Sequence, residues 1–199
     1  MKDHIVFDLD GTLSDTQKIH QQIEAEFLKT KWVSIEPHLI GVKYAGRTPQ
    51  EWISEILREK DITFTKEEIE YFVGQKDKII ISLLKKWTIE LMPYAYEILK
   101  YLHKKEYRIW LSSGACKEFI DKFIKYFDLE KIVTASTSAN EVEKKKPHPD
   151  VFLSSFNQLE KIYWAPKNKY VVWDWWSDME WWYKSWAKTI RYNYLNKMK

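Results

Sequence analysis

The run His4-Ile5-Val6-Phe7-Asp8-Leu9-Asp10-Gly11-Thr12-Leu13-Ser14-Asp15-Thr16 constrains this chain more than any other stretch. Its apolar start, bounded by turn formers, predicts a short buried strand. Two carboxylates, Asp8 and Asp10, follow one residue apart, and then a Gly-Thr turn. Carboxylates at the end of a core strand are costly to bury unless positive charge meets them. A hard divalent cation meets that need, and Mg²⁺ is typically held by one or two carboxylates together with substrate phosphate oxygens. In open α/β sheets, ligands also bind at the carboxyl ends of strands. A plain strand followed by a helix capped by Asp15 or Thr16 accounts for those two residues. It leaves Asp8 and Asp10 unexplained.

Composition excludes several classes. With 199 residues and 45% hydrophobic content, the chain can bury one good core with room for a small inserted module. A net charge of +3, with 31% charged residues of both signs, sets up no strong field toward nucleic acid or membrane. The single cysteine, Cys116, rules out an internal disulfide and suits a reducing cytoplasm. Neither a signal-peptide core nor a membrane-spanning apolar run is expected. The five histidines are scattered without metal-ligand spacing, so zinc is not expected.

Residues 16–30 carry helical apolar spacing through Ile19, Ile23 and Phe27. After Pro37 and a Gly46-Arg47-Thr48-Pro49 turn, two more helices are predicted near 49–60 and 65–86, the second opened by a Thr65-x-x-Glu68 capping box. Beyond Pro93 the pattern becomes helix–strand alternation. Helices are predicted at 94–104, 117–127, 149–159 and from about 178, with strands at 107–112, 131–134, 170–173 and 188–191. Alternation of this kind implies a parallel sheet with right-handed crossovers. The expected fold is therefore α/β: a doubly wound, Rossmann-like parallel sheet from 1–15 and 89–199, with an all-helical insertion at 16–88.

Asp8 to Thr16, read as DxDGTLxDT after a strand, resembles the first motif of the haloacid dehalogenase-like phosphohydrolases. The likeness is narrower still to the branch holding phosphoglycolate phosphatase-like enzymes and β-phosphoglucomutase. The resemblance makes the insertion a cap domain and Asp8 the nucleophile that becomes an aspartyl-phosphate. A carboxylate suits that task, being ionised at neutral pH and forming a labile acyl phosphate. The resemblance makes Asp10 the general acid and base, with its backbone carbonyl on the metal. Extended chain already projects Asp8 and Asp10 to the same side.

The remaining motifs occur in family order. In Leu111-Ser112-Ser113-Gly114, the resemblance assigns Ser113 to the transferring phosphoryl group, with Ser112 the neighbour it could be confused with and Gly114 beside it in the substrate site. Ser113 as a cap for the helix at 117 is the plainer reading, and both can hold. Lys144-Lys145-Lys146-Pro147-His148-Pro149-Asp150 resembles the third motif. There Lys146, its backbone constrained by Pro147, would neutralise Asp8 and the developing charge. Lys144 and Lys145 read as a solvated face, and Asp150 as a helix cap. Asp174 and Asp178, four apart after an apolar strand, resemble the fourth motif and would complete a Mg²⁺ site with Asp8 and Asp10; Asp178 as a simple N-cap is the alternative. Gly46-Arg47-Thr48 resembles the substrate-specificity loop, where Arg47 would meet an anionic or polyhydroxy leaving group. An exposed turn before a Pro49-initiated helix is nearly as good an account.

Eleven tryptophans against five glycines invert the usual balance. Six of them crowd into Trp173–Trp186, where the family favours small residues. Trp32 follows a helix where a glycine is expected, Trp87 and Trp164 fall at turns, Trp110 replaces a small residue in a strand, and Trp52 looks ordinary. The pattern fits a chain whose UGA codons specify glycine and were read as tryptophan; UGG codons at these positions would refute it. Genuine tryptophans would overpack the helix–sheet contact.

The resemblance implies a monomeric, Mg²⁺-dependent hydrolase of a small phosphorylated metabolite, with no nucleic acid or membrane partner. A phosphosugar mutase shares every core motif, and the cap decides between them. An inactive binding protein is the third reading, should the tryptophans around Asp174 and Asp178 be genuine and form an exposed apolar patch.

Overall fold

A computed structural model of the chain describes residues 2–44, 47–86, 88–146, 148–174 and 187–191. Among the described residues five parallel strands form one sheet: β1 (His4–Asp8), β2 (Arg108–Ser113), β3 (Ala135–Ser138), β4 (Lys169–Trp173) and β5 (Lys188–Arg191), in the order β3-β2-β1-β4-β5. Among the described residues seven α-helices accompany them: α1 (Gln17–Thr30), α2 (Pro37–Tyr44), α3 (Pro49–Glu59), α4 (Lys66–Lys85), α5 (Ala95–Lys104), α6 (Lys117–Tyr126) and α7 (Asp150–Tyr163). The helix predicted from about 178 lies outside the described residues.

Strand alternation sorts the core into two layers. Ile5, Phe7, Ile109 and Leu111 face one side and pack with Leu99 of α5 and Phe119, Ile120 and Phe123 of α6. Val6, Trp110, Val171 and Trp173 face the other and pack with Val151, Phe152, Phe156 and Leu159 of α7. Helices on both faces of a parallel sheet make the doubly wound arrangement. Between β1 and α5 lie α1–α4, which enclose a separate apolar cluster including Leu28, Ile53, Leu57 and Phe72. Ile80 and Leu84, late in α4, join the sheet's own core instead.

Sequence periodicity does not pick out α2. It also misplaces one strand. Instead of 131–134, β3 runs over the polar stretch Ala135-Ser136-Thr137-Ser138. Val133 N–H donates to the Leu129 carbonyl (2.8 Å) in a turn, and Val133 is buried against the sheet's core with Ile132 packed partly beside it, so Ile132 and Val133 plug a turn rather than pair as a strand. The strand's hydroxyls are satisfied where they are buried: Trp110 Nε1 donates to Thr137 Oγ1 (2.9 Å), and Ser138 Oγ to the Ala115 carbonyl (2.7 Å).

Helices α1, α3, α5 and α6 all end in one device. The N–H of Val33, Ile62, Tyr107 and Leu129 reaches back five residues to the carbonyl of Leu28, Leu57, Leu102 and Ile124 respectively. The residue before each donor (Trp32, Asp61, Glu106, Asp128) has positive φ, between 52° and 65°. This is the Schellman closure, which favours glycine at the left-handed position. None of the four positions carries one. Trp164, after α7, also sits at φ 69° with ψ 170°, in a region nearly confined to glycine. Trp32 and Trp164 are 96% and 84% exposed, whereas Trp110 and Trp173 are fully packed in the α7 layer and Trp52 stacks on Tyr44. Trp87 and the tryptophans at 175–186 lie outside the described residues.

Candidate active site

The order β3-β2-β1-β4-β5 places the switch point beside β1, where the chain crosses from one wing of the sheet to the other, and opens a crevice at the strands' carboxyl ends. Asp8 closes β1, in register with Ser112 of β2, and Asp174 follows β4 directly. A cavity of 430 Å³ lies between these strand ends and helices α1–α4.

The turn after β1 is wound by three N–H groups, of Thr12, Leu13 and Ser14, all donating to the Leu9 carbonyl. Gly11 is essential to it. Its φ is +79°, and a Cβ built there would lie 2.1 Å from Asp174 Oδ2. Only a hydrogen allows the Asp174 carboxylate to rest against this turn, where Thr12 Oγ1 donates to Asp174 Oδ1 (3.4 Å).

Asp8 is buried, and its Oδ1 accepts from the Leu9 N–H (2.9 Å) and from Lys146 Nζ (2.8 Å), which fixes the carboxylate plane. Burial pushes the Asp8 pKa up, and Lys146 opposes that shift. Asp10 is turned differently. Its Oδ1 accepts from Thr16 Oγ1 and lies 3.3 Å from His20 Nε2, while Ser113 Oγ donates to Oδ2 (2.9 Å). Burial alone would raise its pKa, yet the contacts from His20, Thr16 and Ser113 win and hold it below the usual carboxylate range. Asp174 receives only the long Thr12 contact from a side chain among the described residues. Burial first, then the neighbouring Asp8 charge, push it up to about 7.

The predicted residues Asp8, Asp10, Ser113, Lys146 and Asp174 therefore converge. Ser113 faces Asp10, whereas Ser112 points to the opposite side of the sheet and meets Ser155 of α7 (2.5 Å). Gly114, Arg47 and Thr48 line the same cavity. Arg47 is bound to Glu55 (2.5 Å), and Thr48 caps α3 in a capping box with Glu51. Gly46 and Asp178 lie outside the described residues.

Three local readings are corrected. Thr16 occupies the N-cap position of α1 but makes no cap bond, because its hydroxyl is spent on Asp10. Asp150 is the first residue of α7 rather than its cap, and pairs with His148 (2.8 Å). Cys116, not Ser113, holds the N-cap position of α6, and Ser113 instead accepts the Ala115 N–H (2.9 Å). Sequence reasoning missed His20, Glu24 and Lys76. The signal was present: Gln17, His20, Gln21 and Glu24 form a polar stripe at helical spacing opposite Ile19 and Ile23.

The donor set suits Mg²⁺. It is all oxygen, two carboxylates flank one turn, and Asp174 carries like-charge repulsion that a hard cation relieves. No group of three His, Cys, Asp or Glu side chains gathers as a metal cluster among the described residues, consistent with the Asp10 carboxylate being turned toward Thr16 and His20.

The sequence model of a family described as haloacid dehalogenase-like hydrolase matches residues 5–180. An uncharacterised protein of Haemophilus influenzae is 28% identical over 149 residues, 75% of this chain and 72% of that protein. A (DL)-glycerol-3-phosphatase of Arabidopsis thaliana is 27% identical over 161 residues, 79% of this chain and 65% of that protein. The chain thus spans about two thirds of the length of these curated relatives. In fold it is similar to a β-phosphoglucomutase of Clostridium difficile, with a TM-score of 0.81 at 22% identity, covering 100% of this chain and 88% of that one.

Proposed function

The chain belongs to the haloacid dehalogenase-like hydrolases, enzymes of the phosphatase and phosphomutase kind, and from that premise we propose that it is a Mg²⁺-dependent phosphomonoesterase for a small phosphorylated metabolite. The observation that carries the reading is the meeting of Asp8, Asp10, Lys146 and Asp174 in one cavity at the carboxyl ends of β1 and β4, with Ser113 of β2 bonded to Asp10.

In this reading Asp8 attacks phosphorus. The bond to the leaving oxygen breaks, and an aspartyl-phosphate forms on Asp8. Lys146, 2.8 Å from Asp8 Oδ1, offsets the charge of the nucleophile and of the phosphoryl group. Asp10 gives a proton to the leaving oxygen, then takes one from the water that attacks phosphorus and frees Asp8. As arranged, Asp10 is held ionised by His20, Thr16 and Ser113, the state a base needs. Its acid role requires the substrate to raise its pKa. A dianionic phosphoryl group does so by proximity, and by drawing the Ser113 hydroxyl onto its own oxygens. Asp8, the Asp10 carbonyl, Asp174 and Asp178 would hold Mg²⁺. When bound, the ion supplies a Lewis acid that draws charge from the phosphoryl oxygens. The insertion at 16–88 acts as the cap that closes over the cavity and excludes bulk water.

The test is Mg²⁺-dependent release of phosphate from p-nitrophenyl phosphate, with Asp8→Asn as control. Turnover that survives Asp8→Asn overturns the nucleophile. No turnover by the parent or by a variant bearing glycine in the Trp-rich loop favours a binding role. A panel of phosphosugars, read for isomerised sugar phosphate as well as free phosphate, separates a mutase from a hydrolase.

A further inference from the structure

The cavity wall opposite the strand ends belongs to the insertion, and its charges are arranged in pairs. Lys76 of α4 donates to Glu24 Oε1 of α1, and both side chains are buried. Arg47, at the mouth, is engaged by Glu55 (2.5 Å). These are the described Lys and Arg side chains of the insertion that line the cavity, and each is matched by a carboxylate. Asp77, next to Lys76, adds another carboxylate to the same wall. Lys145 lies on the exposed rim, where solvent and salt screen it. Much of the remaining polar lining is neutral: the amides of Gln17, Gln21 and Asn140 and the hydroxyl of Thr48.

We infer that the leaving group is an uncharged, polyhydroxylated carbon skeleton, and that Glu24 sets this preference by holding Lys76. The inference rests on the phosphatase reading above and narrows its substrate class. A second anionic group that reached Lys76 would have to displace Glu24, leaving a buried carboxylate unpaired. Hydroxyls face no such barrier. They donate to Glu24 and accept from Lys76 and the amides while the ion pair stays closed.

The experiment uses a matched pair of substrates: 2-phosphoglycolate, and 2-hydroxyethyl phosphate, in which a hydroxymethyl group replaces the carboxylate. Acetyl phosphate reports the core chemistry. The parent protein is expected to favour 2-hydroxyethyl phosphate at least about tenfold in kcat/KM, the worth of one charge-assisted hydrogen bond. Glu24→Gln keeps the shape and a hydrogen bond to Lys76 but frees the ammonium charge. It should shift the ratio about tenfold toward 2-phosphoglycolate. Parent preference for 2-phosphoglycolate overturns the inference, whether or not the variant folds. A folded Glu24→Gln protein, verified by circular dichroism, with an unchanged ratio overturns the role of Glu24. Failure to hydrolyse even acetyl phosphate takes down the phosphatase reading itself, and this inference with it.

Discussion

Replacing Trp32 with glycine should stabilise the protein, although it removes the largest of all side chains. Trp32 sits at the left-handed position of the turn that closes α1, with φ 60°. Its N–H donates to Lys29, and the next N–H, of Val33, donates to Leu28. The indole is 96% exposed, so truncation forfeits almost no buried area. An L-residue in this conformation costs about 1–2 kcal/mol. Glycine escapes that strain but returns about 0.5–1 kcal/mol through the greater freedom of its unfolded chain. The difference is a gain of roughly 1 kcal/mol, which in a chain of this size raises Tm by about 2–4 °C. Thermal and urea melts of Trp32→Gly and Trp32→Ala measure it. Alanine keeps the Cβ that causes the strain, so Trp32→Ala should stay within about 0.5 kcal/mol of the parent. An equal gain from alanine would assign the effect to loss of the indole, and no gain from glycine would show the turn to be unstrained. Glycine is also what the natural chain carries here if its UGA codons specify it. A UGG codon sets that aside without touching the stability argument.

Two further outcomes follow from the geometry. Gly11→Ala pushes a methyl group to within 2.1 Å of Asp174 Oδ2, and the resulting displacement should lower Mg²⁺-dependent kcat/KM about 100-fold; an active Gly11→Ala enzyme would refute the packing of Asp174 on that turn. In EDTA, the contribution of Asp174 makes thermal stability fall as pH rises from 3.8, its ordinary value, through about 7, its folded value. The sign follows from proton binding: across that window the folded state keeps a proton that the unfolded state releases, so raising pH favours unfolding. Added Mg²⁺ should restore stability most above pH 7, and a Tm that is flat with pH and indifferent to Mg²⁺ would remove the case for repulsion between Asp8 and Asp174.

Local sequence determined a good deal of this protein. Alternation in Ile5-Val6-Phe7 assigns each side chain to a face of the sheet, because the strand period is two whatever surrounds it. Asp8, Asp10, Ser113, Lys146 and Asp174 were legible because each stands at a strand end or loop that a short motif marks. The capping box at Thr65 and Glu68 was legible for the same local reason. Other features came only with the tertiary structure. The polar edge strand Ala135–Ser138 is invisible to hydropathy, since its burial depends on partners such as Trp110, 27 residues away from Thr137. Whether Thr16 caps a helix or binds Asp10 depends on where the β1 turn ends relative to α1, which no pattern within the helix encodes. Glu24 and Lys76 are 52 residues apart and read separately as surface charges; packing α1 against α4 buries them and makes each the other's necessary partner. The motifs marked the residues that converge at the strand ends, but only the packing of the helices decided the charge of the wall they face.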